Sequence, residues 1–266
     1  MEHIEKALAR AREMRAGNAG NNAAFRASQA SRSNSQPSIN GVTPDYTETA
    51  VVKNDLRHIA EHRLVADDFR NPVADVYRLL RSQILQRMKK QNMTMLAVTG
   101  ARLGDGSSTT AANLAISIAL DVNQTVLLVD MNLRDPSIAT KFGLTPSKGI
   151  EDYLRGNAEL KDCLVNPGLA RLVVLPAREV KGEGGELIVS PRMTALAREL
   201  HNRYSDRIII FDTPPLLESG DTLGFLPNVH GVLFVARSGH TTKEEIDRAA
   251  GLLRPFQLVG TLLNAS

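Results

Sequence analysis

Tryptophan is absent from the 266 residues, aromatic residues make up 4%, and there is one cysteine. Each shortage excludes something. So few rings leave no stacking platform for single-stranded nucleic acid, and nucleic acid is not an expected partner. Cys163 alone cannot form an internal disulfide, and no cysteine–histidine cluster has the spacing of a zinc site, which points to a reducing compartment. No apolar run approaches the roughly 20 residues that span a bilayer, and the opening MEHIEKALAR lacks the apolar centre of a signal peptide. A cytoplasmic protein is the expectation. A GxGxxG at a strand-to-helix junction, with an acid about 20 residues on, is also missing, which sets aside a dinucleotide-dependent dehydrogenase.

What is present suffices for a sizeable core, with 42% hydrophobic and 23% charged residues. The formal charge of +3 conceals an asymmetry: residues 1–90 hold 15 Lys and Arg against 10 Asp and Glu, and the remainder hold 17 against 19. The positive charges are interleaved with negative ones, so a solvated surface explains them better than an acidic partner. Ile4, Ala7, Leu8 and Ala11 recur at helical spacing, which predicts a short amphipathic helix over residues 1–16. Such a helix is either a docking element or an incidental turn on a loose terminus. Residues 17–50, rich in Asn, Ser, Ala, Gln and Gly, cannot offset their own ordering entropy and read as a disordered linker. The α/β domain then occupies residues 51–266.

Asn71-Pro72 reads as an N-cap followed by proline at the first helical position, and Val73, Val76, Tyr77, Leu80, Ile84 and Met88 form an apolar stripe behind it. On another side Asp75, Arg78 and Arg81 are spaced by three, a row that either meets a neighbouring subunit or is simply solvated. Downstream come MLAV (95–98), TVLLV (125–129), LVVL (172–175), IIIF (208–211), GVLFVA (231–236) and LVGTLL (258–263). These are continuous apolar runs, as in strands covered on both faces. Helices predicted at 108–120, 191–204 and 241–253 supply the crossovers of a mainly parallel central sheet in a three-layer α/β fold.

Ligands of an open parallel sheet bind beyond the carboxyl ends of its strands, so the residues after each run are the candidates. After MLAV comes TGARLGDGSSTTAANLAISIAL, a loop with Gly100, Gly104 and Gly106, then hydroxyl residues, then a helix. Glycines let backbone N–H groups turn inward and the helix start adds donors and the positive end of its dipole, which makes a phosphate cradle. The loop departs from GxxxxGK[ST] at Ala101, in place of the first glycine, and at Ser107, in place of the lysine. A serine hydroxyl is neutral and too short to bridge β- and γ-phosphates, so backbone binding can survive where catalysis does not. Arg102, in the same loop, is the candidate for the missing cation. After TVLLV comes Asp130-Met131-Asn132, and after IIIF comes Asp212-Thr213-Pro214-Pro215. Asp130 could hold Mg²⁺-bound water or accept a hydroxyl proton, and Asp212 suits an outer-shell Mg²⁺ ligand.

The order of these motifs, NPVADVYRLLRS, the loop, LLVDMNLRDP, GIEDYL, ELIVSPRM, IIIFDTPPLL and a closing LLN, resembles the cytoplasmic bacterial tyrosine kinases (BY-kinases) of capsule and exopolysaccharide production, from about Asn71 to Asn264. The resemblance implies a P-loop NTPase-like fold with a flexible N-terminal extension. It implies ATP or ADP with Mg²⁺ as weakened cofactors, phosphates on Gly104, Asp105, Gly106, Ser107, Ser108 and Thr109, Mg²⁺ near Ser108, Asp130 and Asp212, and Asp130 as catalytic base. Asn264 falls near the adenine site, and Asp75, Arg78 and Arg81 fall on the family's ExxRxxR oligomerisation motif with Asp for Glu. The implied partners are further copies of the chain and a membrane polysaccharide co-polymerase (Wzz/GumC-like), which would hold the protein peripherally at the inner membrane. Three departures stand out: Ser107 for lysine, Asn132 for the second aspartate of DxD, and no tyrosine between Tyr204 and Ser266. They imply a regulator of polysaccharide assembly with impaired autokinase activity. The alternatives are an active Mg-ATP-dependent tyrosine kinase acting in trans, or a deviant P-loop ATPase of the ParA/MinD kind.

Overall fold

All six apolar runs are strands in the computed structural model, which describes residues 50–52, 56–68, 70–203 and 207–265. The proposed helix over 1–16, the linker over 17–49 and Tyr204 lie outside the described residues. Among the described residues eight strands form one sheet: β1 (Ala50–Val51), β2 (Met95–Gly100), β3 (Thr125–Asp130), β4 (Val165–Asn166), β5 (Leu172–Leu175), β6 (Arg207–Asp212), β7 (Gly231–Arg237) and β8 (Leu258–Asn264). Their spatial order is β1-β4-β5-β3-β6-β2-β7-β8. Every pairing is parallel except β4 against β5. Strands β2 and β3 are buried along their whole length because helices cover both faces.

The helices, in chain order, are α1 (Leu56–Glu61), α2 (Pro72–Lys90), α3 (Ser107–Ala119), α4 (Ile138–Lys141), α5 (Ile150–Arg155), α6 (Leu160–Cys163), α7 (Gly184–Ile188), α8 (Pro191–Arg203), α9 (Asp221–Phe225) and α10 (Lys243–Leu253). Helix α3 is the central one. Its run SSTTAANLAISIA is short-sided enough to lie between the sheet and α2, and every residue from Thr110 to Ala119 is buried. Helix α2 begins as expected, with Asn71 accepting a hydrogen bond from the Val73 N–H at 3.0 Å and Pro72 at its first turn.

Two expectations need correction. Val73 and Val76 do not belong to the buried stripe of α2: they are 47% and 56% exposed, while Ala74, Ile84 and Met88 are buried. The helix is rotated so that Ala74, which allows close approach, faces inward with Tyr77, Leu80 and Ile84. Strand β8 is not covered on both faces either. It is the edge of the sheet, only one of its faces packs under α2, and Leu258 and Leu263 stay exposed. The short strands β1 and β4 were not predicted, and Ala50, the last residue assigned to the linker, pairs with Val165.

Candidate functional site

Strands β2, β3 and β6 are adjacent, so their carboxyl ends bring the three candidate loops together. Gly104 and Gly106 both adopt φ of +89°, a conformation that side chains resist, and a Cβ on Gly106 would also strike the Asn264 side-chain amide. Gly106 thereby caps α3 with no side-chain hydrogen bond, and no acidic residue occupies the first turn. The first N–H groups of a 13-residue helix are left to whatever anion the loop admits.

That helix start opens into a cavity of about 800 Å³ whose wall includes Gly104, Gly106, Ser107, Ser108, Thr109 and Asn264. The nucleotide candidates are thus gathered in one place, with one exception. The Asp105 side chain is fully buried within the loop and does not line the cavity. Its Oδ2 accepts the N–H groups of Ala101 and Arg102, both at 2.9 Å, and its Oδ1 accepts the Thr241 hydroxyl at 2.7 Å. The carboxylate shapes the loop from inside and is spent there. Asn264 donates to the Asp105 carbonyl at 3.1 Å, tying the end of β8 to the loop.

Asp130 and Asp212 stand opposite each other in the β3–β6 register, and both are fully buried. They do not form the cavity wall. Around Asp130 the chain curls back: Oδ1 accepts the Asn132 N–H at 3.1 Å, and Oδ2 accepts those of Ser137 and Ile138 at 3.1 and 3.0 Å. Burial pushes its carboxyl up to about 7 against the opposing pull of those bonds. Neither oxygen of Asp212 meets a donor at hydrogen-bond geometry among the described residues. Burial, and then the charge of Asp130, push Asp212 well above the ordinary carboxylate range, while Ser108 and Lys141 are close enough to pull it down. An orphaned carboxylate that buried is costly unless something else arrives to hold it.

The residues fit Mg²⁺. Among the described residues no group of three or more His, Cys, Asp and Glu makes an all-protein metal cage. Mg²⁺ sites of nucleotide-binding proteins combine one or two carboxylates with a hydroxyl, waters and substrate phosphates, and Asp212 beside Ser108 and Asp130 would supply that protein share.

Arg102 lies in the cavity wall but is already paired. Its guanidinium pairs with Glu245 of α10 at 3.1 Å, while the N–H of the next residue, Leu103, donates to Glu218 at 2.9 Å. The half-buried ammonium in the cavity wall is Lys141, at the end of α4, which donates to the Thr109 hydroxyl at 3.1 Å. Burial lowers its pKa, and Asp212 and Asp130 oppose that shift. Nothing local in the sequence marks Lys141. Asn113 was also missed. Fully buried in α3, it accepts from the N–H groups of Val65 and Ala66 and donates to the carbonyls of Arg63 and Thr109 at 2.8–3.1 Å, fastening the 63–66 segment as one wall of the cavity.

The three side chains of the row on α2 stand in different surroundings. Asp75 pairs with Arg78, and its side chain is 73% exposed. Arg81 instead turns inward to donate to the Ser117 carbonyl of α3 at 2.6 Å.

No protein-family model matches the chain. The tyrosine-protein kinase YwqD of Bacillus subtilis (strain 168) is 33% identical over 194 residues, covering 72% of this chain and 80% of that protein. The tyrosine-protein kinase CpsD of Streptococcus agalactiae is 30% identical over 193 residues, covering 71% and 82%. Among solved structures, the kinase domain of the Escherichia coli tyrosine kinase ETK superposes with a TM-score of 0.71 at 27% identity, over 76% of this chain and 79% of that one.

Proposed function

This chain belongs to the family of bacterial tyrosine-protein kinases, and from that premise we propose that it binds Mg-ATP and Mg-ADP but transfers phosphate to its own tyrosines poorly, serving as a regulator of exopolysaccharide assembly. One observation carries the reading: an uncapped helix start behind a left-handed Gly106 opens into a cavity beside the buried Asp130 and Asp212 pair, with Ser107 where the lysine belongs. Backbone N–H groups from Gly104 to Thr109 would hold the phosphates, and Asn264 would border the base. Ser108, Asp212 and Asp130 would hold Mg²⁺, which when bound supplies charge neutralisation between phosphate oxygens. Asp130 keeps one lone pair on Oδ1 and a carboxyl held near 7, the range of a base working at neutral pH, which favours it as acceptor of a hydroxyl proton. Ser107 offers no charge to the transferring phosphoryl group, and removing one such electrostatic contact costs about 10²–10³ in rate.

The same proposal includes assembly. Asp75 on α2, exposed and paired with the half-buried Arg78, is suited to meet a second copy of the chain. Among the described residues no helix is long and apolar enough to cross a membrane, and attachment at the inner membrane would come through a co-polymerase partner.

Calorimetric titration with Mg-ATP and Mg-ADP, paired with incorporation of label from γ-labelled ATP, tests the reading. We expect saturable binding of both nucleotides and label incorporation about 10²–10³-fold slower than in a Ser107→Lys variant. Fast self-labelling by the unmodified chain, or no nucleotide binding at all, would refute it.

A further inference from the structure

The cavity at the start of α3 lacks the loop lysine, yet an ammonium stands in its wall. We propose that Lys141, reaching in from α4, is the phosphate-binding cation of this chain and takes over the charge that Ser107 cannot supply. The inference deepens the nucleotide-binding reading and rests on it.

Three observations place Lys141 in that role. First, its Nζ donates to the hydroxyl of Thr109 at 3.1 Å, on the same helix turn as Ser107 and Ser108, and it lines the same cavity. The ammonium is therefore already at the end of the helix to which phosphate oxygens are drawn. Second, its perch is fixed from below. The N–H groups of Ser137 and Ile138, at the start of α4, are both held by Oδ2 of the buried Asp130, so the strand-end carboxylate also sets the position of the helix that carries the lysine. Third, the other cations of the wall are committed or peripheral. Arg102 is paired with Glu245, Arg237 donates to the Gly104 carbonyl at 3.2 Å, and Arg63 sits on an exposed turn.

Chemistry favours the exchange. A lysine on its flexible four-carbon stem can leave a neutral hydroxyl for a phosphate oxygen a short way off, trading a neutral acceptor for a charged one. Because it approaches from the strand β3 side and not from the loop, Lys141 can support binding without reproducing the geometry of a loop lysine during transfer.

The test uses the full chain and three ligands, ATP, ADP and adenosine, titrated in Mg²⁺ by calorimetry. Lys141→Met should weaken ATP and ADP about 10- to 100-fold, the worth of one charge-assisted contact, and leave adenosine within about twofold. Lys141→Arg should retain most of the affinity, and Ser107→Lys placed on Lys141→Met should restore it. If Lys141→Met melts early, Lys141→Gln replaces it, because the amide can still donate to Thr109 without a charge. Equal ATP affinity in the wild type and the charge-free variants overturns the proposal. So does an equal loss for adenosine, which would mark a merely structural residue. A wild type that binds no ATP overturns the nucleotide-binding reading itself, a result distinguishable from either of these.

Discussion

Strands β3 and β6 end in the same residue type at the same register, and the segments that follow treat it in opposite ways. After Asp130 the backbone wraps around the carboxylate and delivers three N–H groups to it. After Asp212 the backbone turns instead to β2 and the phosphate loop. Thr213 donates to the Val98 carbonyl at 3.0 Å, and Leu216 and Leu217 donate to those of Gly100 and Ala101 at 2.9 and 3.1 Å. The Asp212 oxygens receive no backbone N–H as a result. One carboxylate is structural first and chemical second, and the charged form of the other is held at a cost that a proton or a bound cation would relieve. Burial, like-charge proximity and unmet hydrogen bonds are how active sites store such cost.

The comparison breaks most visibly at Asp130. Asp130→Ala would strip three N–H groups, that of Ile138 buried and those of Asn132 and Ser137 half-buried, of their acceptor, which we expect to cost about 3 kcal/mol, or roughly 6–12 °C in melting temperature for a domain of this size. Differential scanning calorimetry of the metal-free protein measures it. If Asp130→Ala and Asp212→Ala melt alike, the two carboxylates are not the different groups described above.

Asp212→Asn should act in the other direction. Replacing a buried carboxyl whose charged form is penalised by burial and by Asp130 is expected to stabilise the metal-free protein at neutral pH by about 1 kcal/mol, roughly 2–4 °C, while abolishing the Mg²⁺ dependence of ATP binding. The pH dependence sharpens this. Asp130 is raised from 3.8 to about 7 and Asp212 is raised well above 3.8, so in that window the folded state binds more protons than the unfolded chain. Stability from this source is fully present below about pH 4 and is lost as pH rises toward 7 and beyond. The advantage of Asp212→Asn in metal-free buffer should therefore be small at pH 4 and widen up to about pH 7. An advantage that is flat across that range would mean the pair is not coupled as the geometry requires.

The same pair of loops shows how far the sequence could be read. Six strands were legible because continuous Val, Ile and Leu runs have few other uses, and the carboxylates directly after them were legible with them. Strands β1 and β4, two residues each, carry no periodicity to detect. The apolar positions of α2 fitted more than one helical stripe, and Val73 and Val76 were placed inside although small Ala74 holds the contact. Within the site, local spacing located the loop glycines and the hydroxyls but not what the side chains do. Asp105 turns into its own loop and is bonded from Thr241, 136 positions away, and Lys141 reaches Thr109 across 32 positions. Those roles are set by the sheet order, which no local pattern carries.

The smallest expected effects lie on α2, where the row of Asp75, Arg78 and Arg81 divides as the two carboxylates do. Arg81 is engaged within its own chain at Ser117, half-buried, and Arg81→Gln should cost about 1 kcal/mol of stability. Asp75 meets only Arg78 and is largely in solvent, so Asp75→Ala should change stability by less than about 0.5 kcal/mol. If the exposed Asp75 is where a second copy docks, light scattering should show Asp75→Ala altering the assembly while its melting temperature holds. Arg81→Gln should show the reverse emphasis, a lower melting temperature with assembly affected only through it. Assembly that survives Asp75→Ala unchanged would remove the docking role from this face of α2 and leave Arg81 as a tie between two helices of one subunit.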